Sequence, residues 1–362
     1  MKHYLDYNAT APVRPEVVFR MHALEGLPLN ASSVHAYGRQ AKMIIEEARA
    51  AVAVAVSAFP AEVVFTASGT EANNWALKSV SDHKLIVSSI EHSSVHKPAK
   101  NSAVQFIPVT HDGVLDCEAL KKFLPSKEKF LVSVMLANNE TGVIQPIRDI
   151  ADIVHTKGGL LHCDAIQALG KIPVDFSLLG CDLMSISAHK MGGPVGAAAL
   201  IIKNGVALPA FFSGGGQELG RRAGTENVPA IAGFARACEL IDLSQMQTLR
   251  KWLNKFEDSV LEKAAVIGKS AARLPNTTCI SMPGFNAEAQ LISFDLAGIA
   301  VSAGSACSSG RIEPSHVLRA MQISDDVAST AIRISAGWNT SLQDVEAVSA
   351  QWNKLFSHRH AL

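Results

Sequence analysis

Phe130-Leu-Val-Ser-Val-Met-Leu136, Gly159-Leu-Leu-His-Cys-Asp164 and Leu183-Met-Ser-Ile-Ser187 decide the fold. Each run is short and apolar almost throughout instead of alternating, as a strand covered on both faces must be. Between the first two lie residues 147–157, where Ile147, Ile150, Ala151 and Val154 fall on one helical face. Strand, helix and strand in this order are the repeating unit of a parallel sheet. Working outward, residues 62–66, 84–90, 104–109 and 197–202 read as further strands, and residues 39–59 as one long helix striped by Ile44, Ile45, Ala48 and Val52. The fold class is therefore α/β, with a mostly parallel mixed sheet flanked by helices. The Gly-rich stretch Ser213-Gly-Gly-Gly-Gln-Glu-Leu-Gly220 breaks the pattern, and a helical stretch begins near Asn227. A polar helix near Ser244 restarts the chain, and residues 341–356 form a last helix, giving a smaller α+β domain. We expect a large domain over residues 13–243 and a small C-terminal domain over 244–362, with residues 1–12 packing on the latter.

Bulk properties narrow the partners. The chain has 362 residues, 48% of them apolar, so two packed domains with sizeable cores are accessible. Its 33 basic and 33 acidic side chains balance, which gives no electrostatic reason to expect nucleic acid or an anionic membrane surface. No apolar run approaches the roughly 20 residues of a membrane span. Met1-Lys-His-Tyr-Leu-Asp-Tyr7 has neither a signal peptide's apolar centre nor an Arg-rich transit pattern, so a cytoplasmic location is expected. The six cysteines lack any Cys-x-x-Cys pair, which argues against metal ligation and against a disulfide framework.

Five stretches carry chemistry. Ser187-Ala-His-Lys190-Met-Gly-Gly-Pro194 places a lysine where a strand ends and glycines follow, at the carboxyl edge where such sheets bind ligands. An amine there can form a Schiff base with a carbonyl cofactor, although taken alone Ser187-Ala-His-Lys190 reads more simply as a surface lysine before a turn. His162-Cys-Asp-Ala-Ile-Gln167 ends an apolar strand in an aspartate that is costly to bury without a cation. A protonated pyridine nitrogen is such a cation; a helix N-cap is the other reading of Asp164. Thr66-Ala-Ser-Gly-Thr-Glu-Ala-Asn-Asn74 is a small-residue turn into a helix, suited to a phosphate and without nucleotide-binding spacing. Glu91-His92 follows the next strand and can bring an imidazole over the same pocket. Ser302-Ala-Gly-Ser-Ala-Cys307-Ser-Ser-Gly310 surrounds one cysteine with small residues, which suits an exposed nucleophilic thiol and also a plain linker. Arg333, in the apolar Ala331-Ile-Arg-Ile-Ser335, calls for a carboxylate, either a bound amino acid's or a structural partner's.

In order and spacing these stretches resemble the cysteine desulfurases, the IscS/NifS-like branch of the class-V aminotransferase family. Tyr4-Leu-Asp-Tyr-Asn-Ala-Thr10, Asn30-Ala-Ser-Ser-Val-His35, Ala137-Asn-Asn-Glu-Thr-Gly142 and Arg222-Ala-Gly-Thr-Glu-Asn227 extend the resemblance along nearly the whole chain. The long lead from Cys307 into Glu313-Pro-Ser-His316 points to this branch, since the sister branch has a shorter Arg-x-Gly-x-x-Cys loop. The resemblance implies a fold type I transferase that binds pyridoxal 5'-phosphate and converts L-cysteine to L-alanine. In it Lys190 is the Schiff-base lysine and the base for the Cα proton, and His92 is catalytic, stacking on the ring and helping with proton transfer. Asp164 pairs with the pyridine nitrogen and Gln167 with the phenolic oxygen. Gly69, Thr70, Ser187 and His189 hold the phosphate, joined by Thr225 of a neighbouring subunit, so a homodimer with shared sites is implied. Asn138 and Arg333 orient the substrate, and Asn138 also borders the cofactor. Cys307 takes the sulfur as a persulfide and hands it to an acceptor protein, such as an iron–sulfur scaffold.

Some positions depart from the family's common pattern. Ala31 replaces a frequent proline, Val195 a frequent lysine and Leu219 a frequent arginine; none removes a catalytic group. Cys163, beside Asp164, is assigned to the core. The chain ends soon after its last helix, so a long C-terminal docking tail is not expected. Selenocysteine lyase, a true class-V aminotransferase and a non-enzymatic sulfur-relay scaffold are the alternatives.

Overall fold

The computed structural model describes residues 2–78, 80, 82–100, 104–304 and 315–360. Its strands in chain order are β1 (His3–Tyr4), β2 (Val63–Thr66), β3 (Lys84–Ser88), β4 (Gln105–Ile107), β5 (Phe130–Met135), β6 (Leu160–Asp164), β7 (Leu183–Ser187), β8 (Ala198–Ile202), β9 (Thr277–Ser281), β10 (Ile299–Ala300), β11 (Ser302–Ala303) and β12 (Ala331–Ser335). A seven-stranded sheet runs in the order β2-β8-β7-β6-β5-β3-β4. The pairings β3/β4, β3/β5, β5/β6 and β6/β7 are parallel. Only β8 runs against its neighbours β7 and β2. The sheet is thus mixed and mostly parallel. Every residue of β5, β7 and β8 is buried, which accounts for their largely apolar sequences, broken only by serines.

The helices follow their apolar stripes. Ile147–Thr156 buries Ile147, Ile150, Ala151 and Val154. Ala36–Ala55 begins three residues before the expected Arg39, because the His35 side chain accepts a hydrogen bond from the Gly38 N–H and caps it. It stops at Ala55 instead of residue 59, since Ser57 turns to φ +53° ahead of Phe59-Pro60. Val228–Glu239 is capped by Asn227, whose side chain accepts from the Ala230 N–H. The Gly-rich stretch is tied to the sheet at Glu218. Its carboxylate takes two hydrogen bonds from Arg49, at 2.8 and 2.9 Å, and one from the Phe65 N–H.

The apolar interior falls into several clusters. The largest joins side chains between Val17 and Cys238 around one face of the large sheet. A second joins Leu5 to residues from Met246 to Trp352. There β11-β12-β9 form an antiparallel sheet, and β1 pairs in parallel with β10. The first residues of the chain therefore pack among the last ones, as the Tyr7 N–H to Ser335 carbonyl bond also shows. The helices Leu243–Val260 and Leu342–His360 begin within two residues of their expected starts.

Candidate active site

Parallel strands in one sheet bring their carboxyl ends to one edge, and ligands in such folds bind there. Here β6 ends at Asp164, and β7 ends at Ser187 before a short turn that carries His189 and Lys190. Next to them β3 leads to Glu91 and His92, while β5 leads to residues 137–139. A cavity of about 220 Å³ opens at this edge, and Gly69, Thr70, His92, Asp164, Gln167, His189 and Lys190 all line it. Residues from four separated sequence stretches thus meet in one place.

The electrostatics of the cavity follow from burial. Asp164 is 5% exposed, and its oxygens accept only from the Ile166 N–H at 3.0 Å and from Asn73 Nδ2 at 2.7 Å. Burial raises its pKa, opposed by these bonds and by His92 and Lys190. The Ile166 contact is a tight local turn and no helix follows, so Asp164 is not a helix N-cap. Lys190 Nζ donates to the carbonyls of Asn8 and Ala9, both at 2.7 Å. Burial first, and Arg333 second, lower its pKa to about 8, so a free amine is far more accessible than on an ordinary lysine. His189 is pushed down to about 4 by burial and by Lys190. His92 is also lowered, chiefly by burial. Glu91 lies fully buried behind the cavity with one oxygen on the Met135 N–H and the other without a partner. Burial and then the Asp164 charge push its pKa well up.

A phosphorylated pyridine ring fits this set. Ser68, Gly69 and Thr70 begin the helix Gly69–Lys78 at the cavity wall, where first-turn N–H groups have no intrahelical partner. A Cβ at Gly69 would come within 2.3 Å of Ile166 Cδ1, so any larger residue there would push the Ile166 side chain aside. Asp164 offers a buried anion with no cationic hydrogen-bond partner among the described residues, the position a ring N–H⁺ would complete.

Other expected site residues lie elsewhere. Asn138 is fully buried and does not line the cavity. Its Nδ2 donates to the Ile90 carbonyl, and its Oδ1 accepts from the N–H groups of Glu140 and Thr141. The turn consumes this amide, and Asn139 reaches the cavity instead. Ser187 is buried just behind Gly69, 3.6 Å from where a Cβ on that glycine would stand. Arg333 meets a structural carboxylate: it donates to Asp6 Oδ1 at 2.6 Å and to the Asn139 carbonyl at 2.9 Å, while its buried Nε stays unpaired. Thr225 is exposed and apart from this chain's own cavity. Cys307 lies outside the described residues. Of the other cysteines, Cys163, Cys181, Cys238 and Cys279 are buried. Burial drives the Cys163 thiol pKa well up, which makes it a core residue and not a nucleophile.

The largest omission from the sequence reading is Asn8. Its carbonyl accepts from Lys190 and from Gln167 Nε2, and its Oδ1 accepts from Lys171 Nζ at 2.8 Å and Asn276. Its Nδ2 donates to the Asn139 carbonyl and Thr277 Oγ1. Lys171 is itself buried, held by Asn8 and by Gln167 Oε1 at 2.6 Å, and burial lowers its pKa far below normal. That bond fixes the Gln167 amide with its nitrogen as donor. Asn8 sits within the Tyr4–Thr10 motif, a signal that something there matters; nothing in the sequence marks Lys171.

The profile of the Aminotransferase class-V family matches residues 3–348. The chain belongs to this family. Among class-V relatives, the cysteine desulfurase IscS of Dictyoglomus turgidum is 39% identical over 94% of this chain and 91% of its own. A cysteine desulfurase of Cereibacter sphaeroides is 40% identical over 94% and 92%. The X-ray structure of a NifS-like protein from Rickettsia africae superposes with a TM-score of 0.92 at 37% identity, covering 98% of this chain and 99% of that one. The class-V fold expected from the sequence is therefore the one present. No helix among the described residues is long and apolar enough to cross a membrane, and no cluster of three or more His, Cys, Asp or Glu among them could hold a metal ion.

Proposed function

We propose that this protein is a pyridoxal-phosphate-dependent cysteine desulfurase that converts L-cysteine to L-alanine and passes the sulfur to Cys307. The observation that carries the reading is the convergence of Lys190, Asp164 and His92 on one cavity beside the start of the helix Gly69–Lys78. When bound, the cofactor supplies the electron sink that makes an amino acid's Cα–H acidic. The chain supplies placement and charge. Asp164 would hold a proton on the ring nitrogen. The Gln167 amide would donate to the phenolic oxygen, and Gly69, Thr70 and His189 would hold the phosphate. Lys190, its pKa lowered to about 8, anchors the cofactor and then moves the Cα proton. The Cys307 thiolate attacks the substrate sulfur: the S–S bond forms as C–S breaks, leaving a persulfide on Cys307 and, after protonation, alanine.

We take residues 13–243 and 244–362, the latter with residues 1–12, as the two domains; separate apolar clusters support this division. We further propose a cytoplasmic homodimer in which Thr225 completes the partner's phosphate site, and delivery of the sulfur to an acceptor such as an iron–sulfur scaffold. The decisive experiment is incubation with cysteine followed by non-reducing mass spectrometry of the Cys307 peptide. One added sulfur there, with alanine in solution, is expected; alanine without that adduct would remove Cys307 from the reaction. Cys307→Ala also separates desulfuration from transamination, which needs no thiol. A colourless protein that takes up no cofactor would overturn the whole reading.

A further inference from the structure

Asn73, Ser94 and His92 form a hydrogen-bond chain whose direction is set at one end by a carboxylate. Asn73 Nδ2 lies 2.7 Å from Asp164 Oδ2 and 2.8 Å from Ser94 Oγ. The residue is fully buried and its Oδ1 has no partner. A carboxylate oxygen accepts, so the amide nitrogen and not the carbonyl oxygen must face Asp164, and the second amide proton goes to Ser94. Ser94 Oγ, accepting from Asn73, lies 2.8 Å from His92 Nδ1 and has its single proton available for that nitrogen. The Ser94 main-chain N–H points at the same ring nitrogen from 3.2 Å. Two donors converge on Nδ1, and a proton placed there would face both.

We infer that Asn73 and Ser94 are positioning residues that hold His92 as the neutral Nε2–H tautomer, so that it presents a proton donor to the cavity, not a base. The tautomer follows from the protein's own atoms, whereas its catalytic meaning rests on the proposed cofactor site. The groups facing the ring are Asp164 from β6, Lys190 from the turn after β7, and His316 from the helix His316–Ala320. His316 in turn lies against His96, with ring centroids 4.7 Å apart and the planes tilted by 35°. Asp164 favours a second proton on His92, while Lys190, His316 and burial oppose it. The relay adds a directional reason for Nδ1 to stay bare, and it ties the polarity of His92 to the charge of Asp164.

Nitrogen-15 NMR of histidine-labelled apoprotein tests this directly. The wild type is expected to show His92 with a protonated Nε2 and an unprotonated Nδ1 across neutral pH. Ser94→Ala removes one donor, so the Nδ1–H form should become detectable and proton affinity should rise roughly tenfold, one pH unit. Ser94→Thr keeps the hydroxyl and should restore the wild-type spectrum. A wild-type His92 protonated at Nδ1 overturns the inference, as does a Ser94→Ala titration identical to wild type. Should Ser94→Ala fail to fold, the wild-type and Ser94→Thr spectra still decide. Failure of the desulfurase reading appears separately, as absence of the Cys307 sulfur adduct while the Nε2–H signal persists.

Discussion

The floor of the cavity and the seam around Asn8 solve opposite problems. On the floor, Asp164, His92 and Lys190 reach one point because neighbouring parallel strands end at one edge of the sheet. Each is placed by its own strand, and burial then tunes its charge. The seam gathers Asn8, Lys171, Gln167, Asn276, Thr277 and Asn139 from distant parts of the chain, and hydrogen bonds hold them together. Floor residues are set up to react, and seam residues to be satisfied. A substitution on the floor should therefore cost activity with little loss of stability, and one at a seam side chain outside the cavity, such as Asn8, should do the reverse.

The sharpest break is Lys190→Ala, which we expect to lower kcat by more than about 10³-fold while the unfolding midpoint stays near wild type. The yellow colour of the loaded protein should be lost with it. Asp164→Asn keeps shape but removes the anion, and kcat should fall by about 10²–10³-fold in steady-state assays. Asn8→Ala should show the opposite balance. It strips partners from Lys171, Asn276 and Thr277, so urea unfolding should register a loss of about 2–4 kcal/mol. Its kcat should fall less than that of either floor variant; a larger kcat loss than Asp164→Asn, at unchanged stability, would erase the distinction.

Acid sensitivity gives a smaller effect. His162 lies beneath the floor between Ser133 and Ser185, and burial holds its pKa near 3 against an ordinary 6.5. Below 6.5 the unfolded chain binds a proton that the folded one refuses, so wild-type stability should fall as pH drops from 6.5 toward 3. His162→Gln should flatten that part of the stability profile, read by thermal unfolding from pH 7 to pH 4. The smallest change belongs to a site in neither region. The Arg148–Asp152 pair is exposed on a helix, so Arg148→Ala should move stability by no more than about 0.5 kcal/mol.

How far the sequence could be read differs between the two regions for a physical reason. Asp164 and Lys190 were legible because a charged residue at the end of a doubly covered apolar strand has few places to go. The adjacent asparagines were not separable: the turn over residues 137–142 consumes the Asn138 amide and presents Asn139, a choice made by backbone geometry. Arg333 was read as wanting a carboxylate, and it found Asp6, brought alongside when β1 joined β10.

By itself, the sequence determined the α/β class, the strand-helix alternation and the residues able to perform the chemistry, because apolar periodicity and strand-end polarity are local properties. Tertiary structure decided which of those residues share a cavity and how each hydrogen bond points. It also decided that the buried Lys171 amine is held by two amide oxygens. Those outcomes depend on contacts between distant segments, 268 positions apart for Asn8 and Asn276 and 327 for Asp6 and Arg333. No local pattern encodes them; they exist only once the chain has closed on itself.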